Sequence, residues 1–251
     1  DGSKSLPEIY SELKTLNNKE SFLTNDLLLQ EVLNSTKVHF YASSSLLGDS
    51  FSTSIKDFSA ADISAWAEAV KTKPDILLDQ TFYGEVLAVL RRASILHNGY
   101  DLRAVQLISI FSSLYSHDQG ILLQIKTGEG KSTIAASIAV VKALAGNNVD
   151  IITSSPLLAQ RDAISFAPFY QMFGLDVAFN VPKGLLANKT REEVKDIKAS
   201  IYQHRIVYGD ASSFQYDVLS DLLKAKSKEP NIRGSRGFEV AIVDEVDSML
   251  I

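Results

Sequence analysis

The stretch that decides the fold runs from Ile121 to Ser132 and reads Ile-Leu-Leu-Gln-Ile-Lys-Thr-Gly-Glu-Gly-Lys-Ser. Its apolar beginning predicts a strand over Ile121–Ile125, and a helix is expected to begin at Lys131. The glycines on either side of Glu129 let the backbone curl so that its N–H groups can point at phosphate oxygens. The helix N-terminus adds a partial positive charge. The order strand, glycine-rich loop and helix therefore predicts a phosphate-binding loop.

The side chains of this loop supply the expected chemistry. Lys131 can reach the β- and γ-phosphates of a nucleotide, and the Ser132 hydroxyl can bind Mg²⁺. The strict pattern has a glycine where this chain has Ile125, and superfamily-2 motors commonly place another residue there. The alternative is a glycine-rich turn with a solvated lysine. The candidate nucleotide contacts are Thr127, Gly128, Glu129, Gly130, Lys131 and Ser132.

Carboxylates follow a second apolar run near the end of the chain. The run Glu239–Val243 predicts a strand that delivers Asp244 and Glu245 at its carboxyl end, where open α/β sheets bind ligands. Asp244 is placed to bind Mg²⁺, and Glu245 to orient or deprotonate the attacking water. Glu245 and Lys131 are therefore the candidate catalytic residues. Taken alone, the Asp-Glu pair could also be a helix N-cap.

Hydrophobic periodicity divides the chain into a helical part and an alternating part. Helices are predicted over Pro7–Leu16, Asn25–Leu33, Ala60–Lys71, Leu77–Leu96 and Asp101–Ser113, with Ser59 as a cap. After Gly120, further strands are predicted over Val149–Thr153, Val177–Asn180 and Arg205–Tyr208. The helices between them are predicted over Lys131–Leu144, Leu157–Phe173, Arg191–Ile201 and Ser213–Lys224. Because the strands lack polar alternation, we expect a parallel sheet with helices on both faces.

Composition narrows the class of protein. The 251 residues are 45% hydrophobic and 22% charged, with a net charge of −5 and no cysteine. These values are typical of a soluble globular protein and exclude disulfides and thiolate metal sites. The acidic balance argues against a protein that grips nucleic acid through phosphates. The basic run from Lys224 to Arg236 is expected to be a solvated surface, with a phosphate or acidic-partner site as the alternative.

Several blocks of the sequence together resemble one family. The loop from Lys126 to Ser132, with Glu129 between its glycines, is similar to that of the SecA preprotein translocase ATPases. Val105-Gln106-Leu107 resembles the adenine-reading motif of that family. Further similarities are Leu158–Asp162, Tyr208-Gly209 with Phe214, Asp217, Leu219 and Asp221, Arg236-Gly237, and Ala241–Ser248. The ending Asp-Glu-Val-Asp-Ser favours SecA over generic helicases.

This resemblance implies an α/β, RecA-like P-loop domain with a parallel sheet and flanking helices, preceded by an all-helical N-terminal segment. The residues and the resemblance together predict an expression remnant or linker (1–4), a helical region (5–98) and a truncated SecA-like DEAD-type nucleotide-binding domain (99–251). The implied cofactors are ATP and Mg²⁺, with Gln106 reading adenine. The implied partners are a polypeptide substrate, a membrane translocon and a second motor domain absent from this chain. The implied location is the cytoplasm, or the periphery of a membrane.

Three functions remain open from the sequence. The first is a SecA-like motor ATPase that drives polypeptide movement; the isolated chain is then expected to bind ATP and hydrolyse it very slowly. The second is a superfamily-2 helicase core that acts on nucleic acid, which the acidic charge disfavours. The third is a SecA-derived nucleotide-binding module with a non-translocase role in a larger protein.

Overall fold

A computed structural model describes residues 26–48, 51–115, 120–224 and 232–246. The chain divides into two compact units, Asp1–Ile138 and Ala139–Ile251. The predicted helix Pro7–Leu16 and the proposed remnant at 1–4 lie outside the described residues. The predicted domain boundary after residue 98 stays a prediction.

Helices make up the first unit. α1 is Asp26–Tyr41, α2 is Ala60–Thr72, α3 is Tyr83–Asn98, α4 is Ala104–Tyr115, and α5, in which the division between the units falls, is Lys131–Leu144. The Ser59 cap is confirmed: its hydroxyl accepts from Asp62 N–H while the Asp62 carboxylate accepts from Ser59 N–H, which is a capping box. α3 begins six residues later than predicted. The Asp79 carboxylate accepts from Thr81 N–H at 2.9 Å, and this local turn interrupts the helix.

The core of the first unit surrounds Trp66, for which the apolar stripe predicted a core position. Trp66 is 1% exposed and stacks on Phe82 with ring centroids 6.1 Å apart. Its Nε1–H donates to the fully buried Glu85 carboxylate at 2.9 Å, so the indole and the carboxylate satisfy each other. α1 packs on α3 at Gly84, where a Cβ atom would collide with the Ser35 side chain.

The predicted strand Ile121–Ile125 is wrong. Residues 120–126 have no regular secondary structure, and Leu122 is 79% exposed. An apolar run becomes a strand when a neighbouring strand pairs with its backbone, and no described strand pairs with this one. The run therefore leads into the glycine-rich loop as irregular chain.

A four-stranded parallel sheet forms the described part of the second unit's core. Its order is β2-β3-β1-β4, with β1 at Val149–Thr153, β2 at Val177–Phe179, β3 at Ile206–Asp210 and β4 at Val240–Val243. Because all strands are parallel, their carboxyl ends lie at one edge, followed by Ser154, Asn180, Ala211 and Asp244. Each of these strands was predicted to within a residue or two.

Helices cover both faces of this sheet. The second unit's helices are α6, Pro156–Met172, α7, Arg191–Ile201, and α8, Ala211–Lys224. On β3, Tyr208 contacts Tyr170 of α6, whereas its neighbour Val207 packs with Phe214 of α8. Successive side chains of a strand point to opposite faces, so α6 and α8 lie on opposite sides. The expected α/β RecA-like architecture, following an all-helical segment, is confirmed.

The basic run is not a solvated surface where the structure describes it. Arg233 and Arg236 are 6% and 8% exposed, and both form ion pairs with Asp150 of β1. Arg236 also donates to the backbone carbonyls of Val149 and His204. The composition suggested a loop exposed to water, but Asp150 is a buried anion that requires cations beside it.

A buried polar cluster ties the carboxyl end of β2 to two helices. Oδ2 of Asp217 accepts hydrogen bonds from Asn180, from Lys198 at 3.0 Å and from the Tyr202 hydroxyl at 2.7 Å. Lys198 and Asp217 are 3% and 0% exposed. Oδ1 of Asp217 has no hydrogen-bond partner among the described residues, so the three donors to Oδ2 compensate the buried carboxylate and fix α7 and α8 against the sheet.

Candidate functional site

The glycine-rich loop has the backbone shape that its sequence predicts. Gly128 and Gly130 have φ angles of 85° and 77°, a left-handed region that residues with a Cβ rarely adopt. α5 begins directly after them at Lys131, and Gly130 O accepts from Thr133 N–H at 3.1 Å in its first turn. The loop therefore presents a helix N-terminus, which is a favourable place for an anion.

Gln106 lies beneath this loop and is bonded to it. The side chain is 1% exposed, and its Nε2 donates to Glu129 O at 3.0 Å. Its Oε1 accepts from Arg103 N–H at 2.8 Å, at the N-terminus of α4. A Cβ atom on Gly130 would collide with the Gln106 amide, so the glycine permits this close approach. Gln106 thus joins α4 to the loop; adenine recognition by it stays a prediction.

The side chain of Arg103 contacts the same loop at two residues. Its Nη1 forms an ion pair with Oε2 of Glu129 at 2.8 Å, and its Nη2 donates to Gly128 O at 3.0 Å. In a planar trans peptide the N–H and C=O groups point in opposite directions. Because Glu129 O faces Gln106, the N–H of Gly130 points away from Gln106. The contacts from Arg103 and Gln106 thus set the direction of the loop's peptide groups.

The remaining predicted loop residues lie at its surface. Thr127 and Gly128 are exposed, and Lys131 and Ser132 are half-buried as the first two residues of α5. All six predicted loop contacts belong to the first unit, with Gln106. A phosphate group at this helix N-terminus would have backbone N–H groups, the Lys131 ammonium and the Ser132 hydroxyl as possible partners.

The predicted carboxylates belong to the second unit. Asp244 follows β4, and its backbone N–H donates to Ile152 O of β1 at 2.8 Å. Glu245 has a φ of 59°, and its Oε2 accepts from the Ser154 hydroxyl at 3.0 Å. Both residues thus lie at the carboxyl edge of the sheet, beside the loop that follows β1. Asp247 lies outside the described residues.

A pair of buried tyrosines joins α6 to β3 of the sheet. The hydroxyl groups of Tyr170 and Tyr208 are 2.7 Å apart. Burial raises the pKa of Tyr208 above its ordinary value, and the Asp162 and Asp244 carboxylates raise it further. Burial likewise raises the pKa of Tyr170. Both side chains therefore stay uncharged at neutral pH.

Two residues of this arrangement were missed from the sequence. Gln106 lies three residues after Arg103, a spacing at which its side chain can reach back to the Arg103 N–H, but no local pattern indicates that the Arg103 guanidinium contacts the loop. Ser154 had no local signal either. Its contact with Glu245 arises because β1 and β4 are neighbours in the sheet, and strand order cannot be read from local sequence.

Comparison with known proteins identifies the family. The model of the SecA DEAD-like domain family matches residues 14–251. The chain belongs to this family. The resemblance predicted from the sequence motifs is thereby confirmed.

Relatives of this SecA DEAD-like chain are translocase subunits by name. A protein translocase subunit SecA 2 from Listeria innocua serovar 6a is 33% identical over 186 residues, which are 74% of this chain and 22% of that protein. A protein translocase subunit SecA from Brachyspira hyodysenteriae is 37% identical over 184 residues, or 73% of this chain and 17% of that protein. The corresponding protein of Laribacter hongkongensis is 36% identical over 167 residues, or 66% and 17%. The chain thus spans about a fifth of the length of these relatives.

Among the described residues, no helix combines the length and the apolar character needed to cross a bilayer.

Proposed function

We propose that this chain is the ATP- and Mg²⁺-binding part of a SecA-like motor ATPase that couples ATP hydrolysis to polypeptide translocation. The observation that carries the proposal is the loop from Gly128 to Gly130. Its two left-handed glycines and its position before α5 are features of a triphosphate site, and Gln106 holds the loop from α4. Membership of the SecA DEAD-like family supports the same function.

The loop residues act on the phosphates. Thr127–Gly130 would donate backbone N–H groups to phosphate oxygens, and Lys131 would neutralise the developing charge on the transferred phosphoryl group. The Ser132 hydroxyl and the Asp244 carboxylate are oxygen ligands of the type that Mg²⁺ prefers. Magnesium, when bound, offsets the negative charge of the phosphate oxygens. The pairing of Ser132 with Asp244 rests on the sequence pattern.

Glu245 orients the attacking water or accepts its proton. The hydrogen bond from Ser154 supports this role, because a carboxylate needs a fixed direction to position water. Gln106 adds selectivity for adenine. Its amide has a second N–H hydrogen and a second oxygen lone pair besides those used by Glu129 and Arg103, and to bind them an adenine edge would have to displace the residues that leave this side chain 1% exposed.

The isolated chain is expected to bind ATP far better than it hydrolyses it. A second motor domain would supply arginines that stabilise the transferring phosphoryl group, an effect of roughly 10³–10⁵ in rate in related systems. The partners of the complete protein would be a polypeptide substrate and a membrane translocon. The corresponding location is the cytoplasm, or the periphery of a membrane.

A second candidate is a SecA-derived module with a non-translocase role in a larger protein. The family pattern usually has threonine after the glycine that aligns with Gly209, whereas this chain has Asp210. Asp210 is 8% exposed at the carboxyl end of β3, and its Oδ1 has no partner among the described residues. A changed residue at this edge favours a changed coupling between the nucleotide and the substrate, with ATP binding retained.

Thermal unfolding with and without ATP·Mg²⁺ tests the proposal. A ligand that binds only the folded state stabilises it by about 2.7 kcal/mol when its concentration is about 100 times its Kd, and so raises the Tm. We expect this increase for the wild-type chain and for Lys142→Ala at the far end of α5. Lys131→Ala should show a smaller increase at the same ATP concentration, because its affinity is weaker, and an equal increase in Lys131→Ala would exclude the loop as the binding site.

A further inference from the structure

Arg103 contacts the phosphate loop, and it belongs to none of the sequence blocks that resemble the family. It directly precedes α4, and its guanidinium reaches two consecutive loop residues, the carboxylate of Glu129 and the carbonyl of Gly128. The fork of donors in an arginine is rigid, so two such contacts fix the loop more firmly than one lysine ammonium would.

The charge of Glu129 gives these contacts a consequence for binding. Glu129 lies between the two left-handed glycines, where a carboxylate repels a polyphosphate. Arg103 places a positive charge 2.8 Å from this carboxylate and offsets it. The two side chains are 52% and 31% exposed, so water and salt screen the pair and its effect is moderate.

We infer that Arg103 is a positioning residue of the phosphate loop, which holds Gly128 and Glu129 in place and neutralises the Glu129 carboxylate before the nucleotide binds. The triphosphate part of this inference rests on the proposed function. Gln106 holds Glu129 O from beneath as a buried residue, whereas Arg103 is half-exposed. Arg103 can therefore be replaced without leaving a buried cavity, which makes it the better residue to test.

Hydrogen exchange of the ligand-free chain tests the positioning directly. We expect Arg103→Ala to speed exchange of the Glu129 amide, whose N–H donates to Lys126 O, and of the Thr133 amide, whose N–H donates to Gly130 O, with exchange in α2 unchanged. Arg103→Lys should restore part of the protection, because it keeps the charge and loses the fork. Lys73→Ala, which removes an exposed positive charge of the same unit, is the control. Unchanged loop exchange in Arg103→Ala would overturn the inference whether or not ATP binds.

ATP titration of the same variants tests the neutralising role. We expect Arg103→Ala to weaken ATP binding about fivefold, the size of an exposed ion pair of about 1 kcal/mol. Adding Glu129→Gln should restore most of the affinity, because the repelling charge is then gone. No restoration would overturn this role, since Arg103 would then act on the nucleotide itself. Failure of the wild-type chain to bind ATP would overturn the proposed function and the triphosphate role with it, and the exchange experiment would still decide whether Arg103 holds the loop.

Discussion

The Ser154 hydroxyl donates a hydrogen bond to Oε2 of Glu245, with the two oxygens 3.0 Å apart. Ser154 directly follows β1, Glu245 lies two residues after β4, and these strands are neighbours in the sheet. Glu245 also has a left-handed backbone, with a φ of 59°. The carboxylate proposed to orient water is therefore held both by a neighbouring hydroxyl and by an uncommon backbone conformation.

That conformation predicts an unusual order of stabilities at position 245. A residue with a Cβ pays roughly 1–2 kcal/mol for a left-handed backbone, and glycine does not. Glu245→Gly and Glu245→Ala both remove the carboxylate, so their comparison isolates the backbone. We expect Glu245→Gly to have the higher free energy of unfolding, by about 1 kcal/mol, in urea denaturation. An alanine variant as stable as the glycine variant would contradict the strained backbone.

Arg236 is predicted to be essential for the stability of the second unit. It is 8% exposed and donates to Asp150 and to carbonyls of two neighbouring segments. Removing it leaves the buried Asp150 charge with less compensation, which typically costs about 3–5 kcal/mol. We expect Arg236→Ala to lose about this free energy of unfolding. The control Arg205→Ala, which removes an exposed arginine bonded to Gly146 O, should lose less than about 1 kcal/mol.

The buried tyrosines predict a loss of stability at alkaline pH. Burial raises the pKa of Tyr83 to about 12, and the pKa of Tyr202 is raised by burial and by Asp217. In the unfolded chain these hydroxyl groups ionise near pH 10, whereas in the folded chain they stay neutral to higher pH. Their contribution to the free energy of unfolding is therefore fully present below about pH 10 and is lost as the pH rises toward the folded pKa. Each such tyrosine contributes a slope of up to about 1.4 kcal/mol per pH unit.

Urea denaturation between about pH 9 and about pH 11 measures this slope. Tyr83→Phe should make it shallower, because the ring is kept and the ionisable hydroxyl is removed. Tyr100→Phe, at a 56% exposed tyrosine, should leave the slope unchanged. Identical slopes in the wild-type chain and Tyr83→Phe would show that Tyr83 ionises equally in both states.

Nucleotide preference decides between two roles for Gln106. If it reads adenine, Gln106→Ala abolishes the preference for ATP over GTP, which is the result that we expect. Gln124→Ala, at an exposed glutamine that precedes the loop, serves as the control and should keep the preference. An equal loss of affinity for ATP and GTP in Gln106→Ala would show that Gln106 acts through the loop alone.

Much of the fold followed from local patterns in the sequence. The helix Arg191–Ile201 was predicted with its observed bounds from its periodicity, and the structure shows that Thr190 and Glu193 form a capping box at its start. The shape of the phosphate loop was also predictable, since glycine at positions 128 and 130 permits the positive φ angles observed. The same glycines predicted a phosphate site, whereas Glu129 and the stretch Asp244–Ser248 indicated the family.

Features that depend on partners distant in sequence were not predictable. Ile121–Ile125 is as apolar as β1 and yet pairs with no described strand, and apolarity alone does not supply a neighbour. The run ending at Arg236 was expected to be exposed because its buried partner, Asp150, lies 86 residues away in the chain. The contact between Ser154 and Glu245, 91 residues apart, depends on strand order for the same reason.

Isothermal titration of the chain with ATP·Mg²⁺ tests the central claim most directly. We predict one binding site with a micromolar or tighter Kd for the wild-type chain. This Kd corresponds to a binding free energy of about −8 kcal/mol or a more favourable value. Lys131→Ala should weaken binding by at least about tenfold, because the loop loses the charge that pairs with the β- and γ-phosphates, whereas Lys142→Ala should bind as the wild-type chain does. Binding of ATP with equal affinity by the wild-type chain and Lys131→Ala, or no binding by either, would contradict the account.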